Sequence, residues 1–265
     1  MKLLVFCAAI CGLFCNESFA ATATNLKGFE GIEEPDMVYQ VTNHTFVRDT
    51  SFTNITDVGS NTVRMFLRFH AGQWWDGDRD NKDVTRQRAE VKGIGPHQKP
   101  GETFEYGTTW RTDPDFKTSG HFCHVYQLKA TDGEDGPPLV TLSLLSDTRA
   151  AVRYYGKGFS KVREFDWKPG VWQTIKIRIK ISNAADAKDG EILASVNGDE
   201  FKGVQNVAVF RPKSTAYRPK WGLYRGVSVN APLHDDYVEH KNASAEKVAA
   251  DTAPALHTTS TANSK

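Results

Sequence analysis

Trp172-Gln173-Thr174-Ile175-Lys176-Ile177-Arg178-Ile179-Lys180-Ile181 is the most regular stretch of the chain. Successive side chains of a strand point to opposite faces, so the four isoleucines share one face and Thr174, Lys176, Arg178 and Lys180 the other. That pattern predicts a strand with one face in a core and one in water. Further on, Glu191 to Val196 predicts a second strand, running into Asn197-Gly198, a pair that favours a two-residue hairpin turn.

Working outward, the same alternation recurs. Over Thr62 to His70, Val63, Met65, Leu67 and Phe69 oppose Arg64, Phe66, Arg68 and His70. Thr85 to Gly93, Phe104 to Trp110 and His121 to Ala130 predict further strands. Leu139 to Leu145 and Ala150 to Tyr155 form a hairpin across Ser146-Asp147. Helical periodicity is almost absent and no internal repeat is visible. A Trp-x-x-Ile-x-Ile-x-Ile strand followed by one ending in Val-Asn-Gly resembles the pairing found in lectin-like β-sandwiches. Many short strands at this spacing predict an all-β jelly-roll β-sandwich with one concave sheet forming a substrate groove.

The chain of 265 residues is long enough for one large β domain. Lys2, the apolar run Leu3 to Leu13 and Ser18-Phe19-Ala20 read as a cleavable secretory signal over residues 1–20. Residues 21–240 are then the domain. From His240 onward, Ala, Thr, Ser and Lys replace large apolar residues, so 241–265 is expected to be a disordered tail. Cys7, Cys11 and Cys15 leave with the signal. Cys123 remains alone, without a disulfide partner, and reads as a small buried hydrophobe. The formal charge is +1 and is unchanged by loss of Lys2 and Glu17, which argues against general nucleic-acid binding. A soluble secreted protein is expected, extracellular or periplasmic, with no membrane span and monomeric by default.

Two local patterns bear on cofactors and modification. The loop from Gly72 to Asp83, with Asp76, Asp78, Asp80 and Asp83, is similar to the start of a calcium loop but lacks its glycine at the sixth position and glutamate at the twelfth. Asn43-His44-Thr45, Asn54-Ile55-Thr56 and Asn242-Ala243-Ser244 are glycosylation sequons.

Candidate functional residues lie on three polar strand faces. Lys220, Gly222 and Tyr224 share one face of Lys220-Trp221-Gly222-Leu223-Tyr224-Arg225, with Trp221 and Leu223 on the other. Arg86, Arg88, Glu90 and Lys92 alternate along a second strand, and Gln127 and Lys129 along a third. A glycine between two long polar side chains suits a groove that admits a polymer backbone. The three segments are expected to lie side by side and bind an acidic sugar polymer.

These residues carry a resemblance. Arg88-Ala89-Glu90-Val91-Lys92, Gln127-Leu128-Lys129 with Pro137-Pro138-Leu139-Val140 after it, and Lys220-Trp221-Gly222-Leu223-Tyr224 resemble three ordered signatures of the jelly-roll alginate lyases. Those are an Arg-x-Glu-Leu-Arg type strand, a Gln-Ile-His strand and a Lys-x-Gly-x-Tyr strand. The wider phrasing, from Arg86 through Gly101-Glu102-Thr103 to His124-Val125-Tyr126-Gln127-Leu128-Lys129, is more similar to the glucuronan lyases, polysaccharide lyase family 20, over about Phe29 to Glu239. Lys129 stands where the alginate lyases have histidine. His70 or His124 would have to replace that histidine, His70 being favoured because it shares a polar face with Arg68. His124 would face away from Gln127 unless a bulge intervenes.

The resemblance implies β-elimination in a uronic-acid polymer, β-1,4-glucuronan first and alginate as the alternative. Arg88 and Gln127 would hold the uronate carboxylate and stabilise the enolate-like intermediate. Tyr224 would accept the C5 proton, protonate the leaving oxygen, or both; neighbouring cations favour its phenolate. Arg86, Lys129, Lys220 and Arg225 would bind flanking sugars, Trp74 or Trp75 would stack on a ring, and Glu90 would fix Arg88 or a sugar hydroxyl. No cofactor is implied for the chemistry, and a structural Ca2+ is implied for the fold. A non-catalytic carbohydrate-binding module of the same sandwich is the reading from another class. Glycoside hydrolysis is disfavoured because the chain lacks paired carboxylates on one strand.

Overall fold

The computed structural model describes residues 28–35, 37–40, 45–48, 53–68, 73–74, 86–132, 136–156, 159–227 and 234–249. All regular elements among them are strands. In chain order these are β1 (Phe29–Glu33), β2 (Met37–Gln40), β3 (Thr45–Arg48), β4 (Ile55–Gly59), β5 (Thr62–Leu67), β6 (Gln73–Trp74), β7 (Arg86–Ile94), β8 (Thr103–Thr112) and β9 (Cys123–Ala130). They continue with β10 (Val140–Leu144), β11 (Arg149–Gly156), β12 (Phe159–Asp166), β13 (Gln173–Lys180), β14 (Gly190–Val196), β15 (Lys202–Val207), β16 (Tyr217–Gly226) and β17 (Asp236–Val248). Two seven-stranded sheets, ordered β1-β7-β16-β9-β10-β11-β12 and β15-β14-β13-β8-β17-β5-β4, make an antiparallel jelly-roll sandwich, with a small β3-β2-β6 sheet beside them.

The core is built by the alternation read from the sequence. Ile175, Ile177, Ile179 and Ile181 are buried on one face of β13. From the opposing sheet come Trp221, Leu223, Tyr126, Leu128, Val140 and Leu142, all fully buried, with the Tyr126 and Trp221 rings 4.3 Å apart. Each such side chain contributes about 1.5–3 kcal/mol on leaving water. Cys123 belongs to this core as a free thiol, and burial pushes it up to about 12.

Two expectations change at this level. The tail does not begin at 240: β17 runs to Val248 and pairs with β8 from Val238↔Thr112 to Val248↔Thr103. Lys241 to Lys247 are small or polar, so backbone ladder bonds rather than large buried side chains hold them. The turn at Asn197-Gly198 forms, with φ of 53° and 83° and Asp199 N donating to Val196 O at 3.1 Å. The chain then continues to Lys202 before pairing with Ala194, a wider loop than a two-residue hairpin, fixed by the Asp199 carboxylate, which accepts from Val196 N and pairs with Arg163. The edge strands β12 and β15 carry too many polar residues to show an apolar alternation. Asn54 is buried and donates Nδ2 to Phe66 O at 2.7 Å, a poor acceptor for a glycan. The secretory signal, Trp75 and the aspartates of the candidate calcium loop lie outside the described residues, and of Trp74 only the backbone is described.

Candidate active site

A cleft of about 960 Å³ opens on the outer face of the sheet that contains β7, β16 and β9. Those three strands are neighbours, with β16 in the middle. Their registers set Tyr224 opposite Arg88, Gly222 opposite Glu90 and Lys220 opposite Gln127. Because Ala89, Val91, Trp221, Leu223 and Leu128 turn into the core, the intervening residues turn to the cleft. Arg86, Arg88, Gln127, Lys129, Lys220 and Tyr224 all line it.

His124 joins them through a bulge. Toward β10, Leu142 pairs with Tyr126 and the next residue, Ser143, with His124. Toward β16, Trp221 pairs with Tyr126 but Tyr224 with His124, so Gly222 and Leu223 span Val125 alone. The extra residue reverses the alternation and brings His124 to the same face as Gln127. Its Nδ1 lies 2.9 Å from Ser143 Oγ, and its ring centroid is 6.1 Å from that of Tyr224. Burial, with the Arg153 charge, pulls His124 down to about 3, so it is a neutral imidazole at ordinary pH.

Tyr224 is enclosed by cations and rings. The Arg88 guanidinium lies 4.2 Å above its ring centroid, Arg86 Nη1 reaches its hydroxyl at 3.4 Å, and Phe122 meets it edge-on at 4.9 Å. Glu90 lies below the cleft rather than in it. It is fully buried, accepts from Gln127 Nε2 at 2.5 Å and has Oε2 at 3.8 Å from Arg88 Nη1. Burial raises its carboxyl, outweighing the pull of Lys220 and Arg88. It therefore orients Gln127 and, buried outside the cleft lining, is not placed to meet a sugar hydroxyl, which corrects the expectation that it binds substrate.

Two further site expectations are corrected. Arg225 does not face the cleft: in a regular strand it shares the face of Trp221 and Leu223. There it is fully buried, pairing with Asp236 at 2.5 Å and donating Nε to Gln87 at 3.1 Å. Gly222 is required by the neighbouring strand rather than by a polymer, since a Cβ there would stand 2.2 Å from Ala89 O. His70 lies outside the described residues.

The sequence reading missed Glu33, Tyr155 and Arg218, which also line the cleft. Glu33 comes from β1, whose register sets it opposite Glu90. Its Oε2 accepts from Arg88 Nη1 and from Lys220 Nζ, each at 2.6 Å, and Lys92 Nζ lies 3.5 Å from Oε1. Burial alone would raise its carboxyl, but the charges and hydrogen bonds of Lys220 and Arg88 hold it at about 2. No local motif marks Glu33; only the pairing of β1 with β7 identifies it. Arg86, Arg88, Lys129, Arg218 and Lys220 outnumber the cleft carboxylates Glu33 and Asp132, so the cleft attracts polyanions.

A family model described as polysaccharide lyase matches residues 24–244. Among solved structures, the endo-β-1,4-glucuronan lyase of the fungus Trichoderma reesei is similar at 15% identity and a TM-score of 0.59, covering 84% of this chain and 93% of that one. Alginate lyase A1-II′, a member of polysaccharide lyase family 7, is similar at 17% identity and a TM-score of 0.56, covering 82% and 93%. At these identities the two structures establish a shared fold. No curated protein matches the chain.

Proposed function

This chain belongs to the polysaccharide lyase family, and from that premise we propose that it cleaves a uronic-acid polymer, β-1,4-glucuronan, by β-elimination. The observation that carries the proposal is the meeting of Arg88, Gln127, His124 and Tyr224 in one cationic cleft. The C5 proton of a uronate is hard to remove while the neighbouring carboxylate repels incoming negative charge. Arg88 and Gln127 would hold that carboxylate with charge-assisted and amide hydrogen bonds, stabilising the enolate-like intermediate. Tyr224, as phenolate, takes the C5 proton. The C5 electron pair becomes the C4–C5 double bond as the C4–O bond breaks, and the new phenol returns its proton to the departing oxygen. The products are an unsaturated uronate end and a new hydroxyl end. In β-1,4-glucuronan the proton and leaving oxygen lie on the same side of the ring, within reach of one tyrosine. Neutral His124 would act as a hydrogen-bonding partner beside Tyr224 rather than as a second cation.

Lys129, in place of the alginate lyases' histidine, is the reason for preferring glucuronan to alginate. We also propose that the protein is secreted through residues 1–20 and works as a monomer, without a cofactor for the chemistry and with calcium only as a structural ion. The test is to incubate the purified protein with glucuronan, alginate and heparin and follow absorbance of the unsaturated product in the low ultraviolet. Glucuronan should be cleaved fastest, and Tyr224→Phe should lower kcat by at least ~10²-fold with binding retained. If every uronan stays intact while polymer still binds, the protein is a binding module and the proposal fails. Near-normal turnover by Tyr224→Phe would remove the role given to that residue.

A further inference from the structure

Glu33 is a carboxylate standing among the cations that the reaction requires. Its Oε2 takes a hydrogen bond from Arg88 and another from Lys220 at 2.6 Å, and all three side chains are nearly buried. The same Arg88 lies over the Tyr224 ring, while Lys220 stands opposite Gln127. A uronate carboxylate entering the cleft would present the same chemistry to the same donors. We propose that Glu33 is a positioning residue that fixes Arg88 and Lys220 for turnover at the expense of substrate affinity. The inference rests on the uronan-cleaving reading above and deepens it.

Two effects of opposite sign follow from one carboxylate. Arg88 and Lys220 come from adjacent strands and repel each other; by accepting from both through one oxygen, Glu33 draws them together and sets the direction of the guanidinium over Tyr224. Loss of that anchor would let Arg88 turn, and misplacement of a charge-stabilising group slows the chemical step. Glu33 also cancels one positive charge at the floor of the cleft. A substrate carboxylate must compete with it for Arg88, so removing its charge would strengthen binding of a polyanion. A side chain needed only for folding would lower the folded fraction without improving KM.

The experiment compares Glu33→Gln and Glu33→Asp with wild type on glucuronan, with folding checked by urea denaturation. For Glu33→Gln, KM should fall roughly three- to tenfold, by loss of one unit charge near the bound carboxylate at the effective dielectric of a protein site. Its kcat should fall about tenfold or more, from loss of aim. In the Tyr224→Phe background, which separates binding from turnover, glucuronan should bind more tightly with the added Glu33→Gln change, and its affinity should depend more steeply on salt. Glu33→Asp keeps the charge but is one methylene too short to hold both partners, so its KM should stay near wild type while kcat falls. This variant also carries the test if Glu33→Gln does not fold. An unchanged or raised KM for Glu33→Gln would overturn the proposal, as would a normal kcat in both variants. If wild type cleaves no uronan, the uronan reading fails, whereas a cleaving wild type with indifferent Glu33 variants defeats this inference alone.

Discussion

Gly222→Ala should be among the most damaging single-methyl changes on this sheet. A Cβ at Gly222 would lie 2.2 Å from Ala89 O, 2.6 Å from Glu90 Cα and 3.0 Å from Glu90 Cγ. Carbon atoms pack at about 3.5–4.0 Å, so β16 and β7 must part by about 1 Å to admit it. Two of the three contacts are backbone and cannot rotate away. Overpacking of this kind costs about 1–3 kcal/mol, and a weakened ladder bond adds about 1 kcal/mol, giving a loss of about 2–4 kcal/mol. The same displacement reaches the chemistry, because Gly222↔Glu90 lies two positions from Tyr224↔Arg88. A shift of about 1 Å between Arg88 and the Tyr224 ring should lower kcat by about 10²-fold. Urea unfolding gives the stability and the ultraviolet assay gives kcat on glucuronan. The reasoning is refuted if the alanine variant is within about 0.5 kcal/mol of wild type and turns over normally. If stability is intact and only KM rises, the glycine serves to admit the polymer instead.

Two further changes test the buried charges. His124 is held neutral down to about 3 when folded, while an unfolded histidine takes up a proton near pH ~6.5. The unfolded state therefore binds more protons in between, and stability from this group is full above pH ~6.5 and falls by up to ~1.4 kcal/mol per pH unit toward about 3. His124→Gln should flatten the acid limb of the stability curve by that slope, measured by urea unfolding at several pH values; Asp236, raised to about 6, acts in the opposite sense in both proteins and cancels from the comparison. An identical slope would refute the neutral buried histidine. Arg225→Met should cost about 3–5 kcal/mol by leaving Asp236 buried without its partner, and adding Asp236→Leu should restore most of it. The folded Arg225→Met protein should keep its KM for glucuronan; a raised KM with stability intact would return Arg225 to the cleft.

Much of the fold was legible because a half-buried strand announces itself: the isoleucines of β13 and the Arg86, Arg88 and Glu90 face of β7 each repeat with a period of two. The cleft positions of Arg88, Lys220 and Tyr224 follow from the same rule. So does the burial of Arg225, one residue after Tyr224, which a reading that counted cations and neglected the period placed in the cleft. β17 beyond His240 was illegible because Asn242 to Lys247 bury little and owe their order to β8. Glu33 was illegible for another reason. A lone glutamate at the end of a short edge strand acquires meaning only when pairing sets β1 beside β7.

The placement of His124 shows that both sheets determine the site. Residues three apart on a regular strand point to opposite faces, yet Gln127 and His124 both line the cleft. The bulge at Val125 that permits this is a local loss of ladder pairing, which must be supported from elsewhere. Beneath it, on β17 of the opposing sheet, the His240 ring lies close to the carbonyls of Val125 and Gly222 and 5.7 Å from the Trp221 ring, and its Nδ1 is 3.2 Å from Thr108 Oγ1. Those two carbonyls belong to the residues at which the register of β9 and β16 slips. Burial pulls His240 down to about 3 and its Nε2 makes no hydrogen bond, so it backs this step as a neutral ring without the cost of a buried cation. The inner sheet thus acts as more than an apolar backing. By supporting the irregularity, it helps place His124 beside Tyr224, and the irregular step in the outer sheet is as much a part of the site as the side chains that line it.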